Sequence, residues 1–217
     1  MTWDWDDLSF WNTGEWEAIQ EKYDEAQESG IVFCPPRDKL FVSLRDLAPE
    51  HVKAVIVGQD PYANLAYATG LAFAVPTNVG KFPPTLQNIF TEYMNDLHYP
   101  APTSGDLTPW AEQGVLLWNA IPSVRAGYPL SHQWWGWDLL TREIIERLSP
   151  RVFVFLGGTA RQFTQFVSGD SRIIETSHPS PRGSFAGRVP FLGSRVFSRI
   201  NSALVELKLQ PIEWRLQ

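Results

Sequence analysis

The sequence encodes an α/β protein: a central four-stranded parallel twisted sheet with helices on both faces. Three observations carry that expectation. Short β-branched and apolar runs recur at 52–57, 115–118, 152–156 and 173–176. The segments between them place apolar residues at three- and four-residue spacing, as one-sided helices do. The runs are apolar almost throughout, and strands of that kind belong to parallel sheets buried on both faces. A chain of 217 residues without repeats or low-complexity linkers suits a single domain over 1–217, with an acidic N-terminal helix region, 1–30, packed on it.

From the N-terminus, residues 12–29 read as an amphipathic helix, with Trp16, Ile19, Tyr23 and Ala26 on one face and Gly30 as its stop. Pro35-Pro36 precede a short helix carrying Leu40, Phe41 and Leu44, and the first strand run comes next at 52–57. A further apolar run lies at 71–75. Helices are expected at 84–97 and at 109–113, the second with Thr108 as cap, Pro109 as first residue and Gly114 as stop. Further helices at 135–148, 159–167 and 194–208 alternate with the last two strands.

Composition excludes several classes. With 44% hydrophobic and 19% charged residues, the chain is globular, and no apolar stretch approaches the roughly 18 residues that span a bilayer. The acidic start, Met1-Thr2-Trp3-Asp4-Trp5-Asp6-Asp7, is unlike a signal peptide, so a cytoplasmic location is expected. One cysteine, Cys34, permits neither an internal disulfide nor a thiolate metal cage. His51, His98, His132 and His178 lack ligand spacing, so no metal and no organic cofactor is expected. The net charge of −6 is unevenly spread: −8 over 1–28, −3 over 29–150 and +5 over 151–217. Local potential governs contact, so the basic C-terminal third is compatible with a phosphate-bearing partner.

The residues just beyond each strand run carry the chemistry. Gly58-Gln59-Asp60-Pro61-Tyr62 leave the first, Asn119 the second, Gly157-Gly158-Thr159 the third, and Ser177-His178-Pro179-Ser180-Pro181 the fourth. Ligands of open parallel sheets bind beyond the carboxyl ends of the strands, so these four tips share one crevice. Taken singly, Asp60 suits an Asx turn, Asn119 a buried amide bonded to loop backbone, and His178 an ordered turn. Taken together they suit recognition of a planar heterocycle. Asn119 presents a donor beside an acceptor, and Phe73 in the 71–75 run offers a stacking face. Paired-carboxylate glycoside chemistry, a Gly-x-Ser-x-Gly nucleophile elbow and a phosphate-cradling glycine loop all lack their residues.

These same residues resemble the motifs of family-one uracil-DNA glycosylases. Gly58 to Tyr62, then Gly70-Leu71-Ala72-Phe73, resembles that family's water-activating motif and base-stacking segment. Gly114-Val115-Leu116-Leu117-Trp118-Asn119-Ala120 is similar to its uracil-reading strand, Ser177 to Pro181 to its minor-groove loop, and Pro83-Pro84-Thr85-Leu86-Gln87-Asn88-Ile89 to its proline-rich loop. The likeness runs from about Trp3 to Trp214. It implies a monofunctional DNA glycosylase that flips uracil out of the stack, hydrolyses its N-glycosidic bond and leaves an abasic site for base excision repair. By the same resemblance Phe73 stacks on uracil, the Asn119 amide reads O4 and N3, Tyr62 excludes a C5 methyl and Gln59 orients the base. His178 hydrogen-bonds O2 of the departing anion, while Asp60 positions water and stabilises the sugar cation. The implied DNA contacts are Thr85, Gly158, Thr159, Ser180, Pro181 and Arg182, with Arg188 and Arg195 adding charge. The implied partners are single- or double-stranded DNA containing uracil and a protein inhibitor that mimics DNA. A monomer is expected, with no membrane partner.

Three positions depart from the family pattern. Ala63 stands where a histidine is usual, Gly158 where a serine is usual, and Arg182 where a leucine wedges into the vacated stack. The loop after Arg182, 183–192, is also long. Two other readings stay open at this point: a glycosylase for another modified pyrimidine, and a base-binding protein that has lost catalysis.

Overall fold

The computed structural model describes residues 4–148, 151–185 and 189–216. Among these residues, six strands, β1 (Phe33–Cys34), β2 (Ala54–Gly58), β3 (Val115–Asn119), β4 (Val124–Arg125), β5 (Val152–Leu156) and β6 (Arg172–Thr176), alternate with seven α-helices. The helices are α1 (Gly14–Glu28), α2 (Val42–Arg45), α3 (Pro84–Leu97), α4 (Thr108–Ala111), α5 (Trp137–Leu148), α6 (Gly158–Arg161) and α7 (Val196–Glu206). The main sheet has the order β3-β2-β5-β6 and is parallel throughout, as the four apolar runs predict.

Successive side chains of a strand point to opposite faces, and the two cores obey that alternation. Ala54, Ile56, Val115, Leu117, Val152 and Val154 pack under α3, α4 and α7. Val55, Val57, Leu116, Trp118, Phe153 and Phe155 pack under α1 and α5. Each fully buried large side chain contributes about 1.5–3 kcal/mol, so both layers are needed. Two of the buried indoles anchor neighbouring elements through their N–H groups: Trp118 Nε1 donates to Thr141 Oγ1 at 2.9 Å, and Trp110 Nε1 to the Trp214 carbonyl at 2.9 Å. The acidic N-terminal stretch joins the second core through Trp5, Phe10 and Ile19. The Ser9 and Phe10 N–H groups donate to the Glu143 carboxylate on α5 at 2.7 and 3.0 Å.

The apolar run at 71–75 is not a strand. The Ala72 N–H donates to the Leu117 carbonyl at 3.1 Å and the Val75 N–H to the Gly105 carbonyl at 2.9 Å, so its backbone serves two different segments. Phe73 interrupts the pleat with a left-handed φ of 68°. Hydrophobicity here reports burial alone. The helix expected at 159–167 is likewise one α turn, α6, continued as a 3-10 segment at Gln162–Phe166. The small antiparallel pair β1–β4 is too short to leave a periodic signal.

Register places the site. Gly58 lies opposite Asn119 and Leu156 opposite Thr176, so neighbouring strands end level with each other. The segments that leave those ends emerge side by side.

Candidate active site

Around this end of the sheet, the structure brings together the residues singled out as catalytic and base-reading. Gly58 has no side chain because there is no room for one: a Cβ there would lie 2.7 Å from Asn119 Oδ1 and 2.8 Å from Phe73 Cζ. The amide of β3 and the ring of the 71–75 turn therefore meet over β2. The Phe73 ring lies 6.2 Å from the His178 ring, centre to centre. On the far side of His178, the Gly157 turn packs so closely that a Cβ would come 2.8 Å from His178 Cβ.

Each group is held by identifiable bonds. Asp60 Oδ2 accepts the Leu130 N–H at 2.6 Å, and Oδ1 accepts the Gln59 side-chain amide at 3.0 Å. Burial raises the Asp60 carboxyl above the ordinary carboxylate value, while the two hydrogen bonds pull it back down. His178 Nδ1 accepts the Ser180 N–H at 3.1 Å, and burial lowers the imidazole to about 4. At neutral pH the ring is therefore uncharged with its proton on Nε2, the nitrogen left free to donate. The Tyr62 hydroxyl donates to the Phe73 carbonyl at 3.1 Å, fixing the tyrosine ring beside the stacking ring.

Two features are costly for folding alone. Phe73 holds a left-handed backbone, which costs a side-chain-bearing residue roughly 1–3 kcal/mol. Asn119 is 8% exposed, and its Oδ1 is buried without a hydrogen-bond partner. An unsatisfied buried oxygen costs about 1–3 kcal/mol, which a ligand N–H would recover.

The remaining expected contacts surround this cluster. Thr85 lies one turn before Asn88 on α3, and Asn88 Nδ2 donates to the Pro179 carbonyl at 2.8 Å and to Ser184 Oγ at 3.3 Å. The proline-rich segment and the loop after His178 are thereby tied together. Ser180 turns that loop, its carbonyl accepting the Ser184 N–H at 2.8 Å, while Pro181 and Arg182 are exposed. Gly158 is exposed, and a Cβ there would meet nothing within 4 Å. Thr159 faces Gln59, its hydroxyl donating to Oε1 at 3.2 Å. Ala63 packs against Cys34, Ala68 and Val124, an apolar seat where the resemblance expects an imidazole. Arg195 precedes α7, and its largely exposed guanidinium lies 3.8 Å from Asp96 on α3. Arg188 lies outside the described residues.

Sequence reasoning missed one contact within the site. The Leu130 contact to Asp60 is a backbone N–H, which no side-chain pattern reveals, though its left-handed φ of 62° marks a residue held in place. Phe185, on the loop after His178, is 76% exposed. Among the described residues, no group of three or more His, Cys, Asp or Glu is placed to hold a metal ion. No helix among them is long and apolar enough to cross a membrane.

The fold is a parallel sheet covered on both faces, with polar residues gathered around the Phe73 ring at its carboxyl end, an α/β architecture suited to a planar ligand. Residues 45–205 match the model of the uracil DNA glycosylase superfamily, and the chain belongs to that family. It is 44% identical over 171 residues to the uracil-DNA glycosylase of Mycolicibacterium vanbaalenii, covering 77% of this chain and 74% of that protein. It is 45% identical over 172 residues to the enzyme of Mycolicibacterium smegmatis, with the same coverage. The mimivirus uracil-DNA glycosylase crystal structure superposes with a TM-score of 0.86 at 28% identity, over 94% of this chain and 83% of that one. A variant of the mimivirus enzyme in complex with UGI gives a TM-score of 0.87 at 28% identity, over 94% of this chain and 84% of that one.

Proposed function

We propose that this protein is a uracil-DNA glycosylase that hydrolyses the bond between uracil N1 and deoxyribose C1′ in DNA. The observation that carries this reading is the placement, both beside the Phe73 ring, of a buried unpartnered Asn119 oxygen and a neutral His178 whose Nε2–H is free. The first accepts the N3–H of uracil and the second donates to O2. In cytosine N3 carries no hydrogen, so Asn119 Oδ1 would face an acceptor and stay unsatisfied. Tyr62, held by the Phe73 carbonyl, fills the space at C5 and rejects thymine sterically.

As the C1′–N1 bond breaks, its electron pair goes to the uracil ring and negative charge gathers at O2, where His178 donates. The sugar becomes cationic, and Asp60 stabilises it and directs a water whose oxygen bonds C1′; that water's proton is released. A donor aimed at developing charge contributes roughly 3–4 kcal/mol in such sites. Gln59 orients the loop: its own carbonyl accepts the Ile121 N–H at 2.9 Å.

Thr85, Gly158, Ser180, Pro181 and Arg182 form the DNA-facing rim in this reading, Thr159 turns inward to Gln59, and Phe185 extends the rim with an apolar tip. Arg182 contributes charge at the vacated stack, while Phe185 supplies the aromatic surface that arginine lacks. UGI complexes of mimivirus UNG variants support assigning a protein inhibitor as a partner of this protein. The working form is a cytoplasmic monomer, its one cysteine, Cys34, buried as a free thiol.

The test is base release from single- and double-stranded oligonucleotides carrying uracil, thymine, cytosine or hydroxymethylcytosine, with EDTA present. Release confined to uracil and lost in Asp60→Asn and His178→Leu is expected. Release of another base, or binding without release, overturns the reading.

A further inference from the structure

The turn at 157–159 touches both halves of the site. Gly157 sets the spacing to His178, as a side chain at this φ of 96° would collide with the histidine Cβ. Thr159, two residues on, reaches the other half. Its hydroxyl donates to Gln59 Oε1 at 3.2 Å, and Gln59 Nε2 donates to Asp60 Oδ1 at 3.0 Å. The second Asp60 oxygen is taken by the Leu130 N–H at 2.6 Å.

The direction of these bonds matters. An amide side chain has two orientations of similar shape, related by a half-turn, and its hydrogen-bond partners select one. With Oε1 receiving the threonine proton, the NH₂ end faces Asp60 and donates to it. The opposite orientation sets an amide oxygen against a carboxylate oxygen, two acceptors in contact. A hydroxyl carries a single proton, so Thr159 can favour one orientation only while it gives that proton to Gln59.

We propose that Thr159 is a positioning residue that fixes the Asp60 carboxylate by orienting the Gln59 amide. The proposal rests on the reading of Asp60 as the group that serves the sugar and the water. It differs from a phosphate contact by Thr159, because a phosphate contact contributes to DNA binding whereas a positioned carboxylate contributes to turnover.

Thr159→Val keeps the shape and removes the hydroxyl; Thr159→Ser keeps the hydroxyl. Steady-state kcat and KM on a uracil oligonucleotide are measured at two salt concentrations for both variants, for Gln59→Leu and for the double variant Thr159→Val/Gln59→Leu. Thr159→Val is expected to lower kcat about five- to tenfold, the worth of one hydrogen bond, with KM and its salt dependence unchanged. Thr159→Ser restores kcat, and in the Gln59→Leu background the valine substitution has no further effect. A raised KM with unchanged kcat overturns the proposal, as do fully additive losses in the double variant. Those results leave the Asp60 reading standing if Asp60→Asn is inactive; full activity in Asp60→Asn removes both.

Discussion

His178 and Asp60 show how burial assigns opposite tasks to two titratable groups. The histidine is held down to about 4, so it is neutral across the physiological range, as the proposed donor role requires. The Asp60 carboxyl is raised, and in the proposed reaction it must be ionised to serve the sugar cation. In that reaction activity is expected to fall as pH drops through the Asp60 value, which burial shifts upward. A pH–kcat profile tests this, and an acid limb shared unchanged by Asp60→Glu and wild type would contradict it. Asn119→Asp substitutes a carboxylate for the amide, so uracil turnover is expected to fall about 100-fold or more, read by single-turnover kinetics. Replacing Tyr62 with alanine opens the C5 side, and release of thymine from a thymine oligonucleotide is the expected sign.

In the proposed function, loops rather than the sheet decide how the site meets DNA. Arg182→Leu gives the loop after His178 a second apolar group, and activity should rise more on duplex than on single strands. Phe185→Ala should have the opposite bias, with little change in melting temperature because the ring is 76% exposed. Equal effects on both substrates would place these residues outside the stack. Gly158 offers a complementary case. Its Cβ position is open, so Gly158→Ser adds a hydroxyl without strain and is expected to lower KM with kcat unchanged. One position away, Gly157→Ala combines a left-handed backbone with a 2.8 Å clash against His178. That variant should lose about 1–3 kcal/mol in denaturant melts and most of its activity.

Across the molecule, stability and chemistry share the same buried groups. His132, 2% exposed, stacks on Trp135 at 3.5 Å and lies 2.8 Å from Ser123 Oγ, and burial lowers it to about 4, as it does His178. Unfolding returns both to about 6.5, so the unfolded chain binds protons first as pH falls. The stability they contribute is whole above that value and is lost as pH drops from about 6.5 to 4, on the order of 3 kcal/mol each. Melting temperature should fall over that window, and less steeply in His132→Gln; parallel falls would show that His132 does not titrate on unfolding.

The strand positions and the functional tips were legible in the primary structure because both are local. A buried parallel strand needs a continuous apolar run, and the residues just past it are the ones a crevice can use. The long helix 84–97 was legible for the same reason, its proline start and apolar spacing lying within the segment. The 71–75 run misled, since apolar character records burial and says nothing of where the N–H groups go; its hydrogen bonds to Leu117 and Gly105 exist only after folding. The same holds for the Leu130 N–H on Asp60, the Thr159–Gln59 contact and the Arg195–Asp96 pair. Each joins segments at least 70 residues apart, and such partners are fixed by strand register and packing. Adjacent residues can announce what chemistry is present, but distance and orientation between remote ones are set by the assembled core.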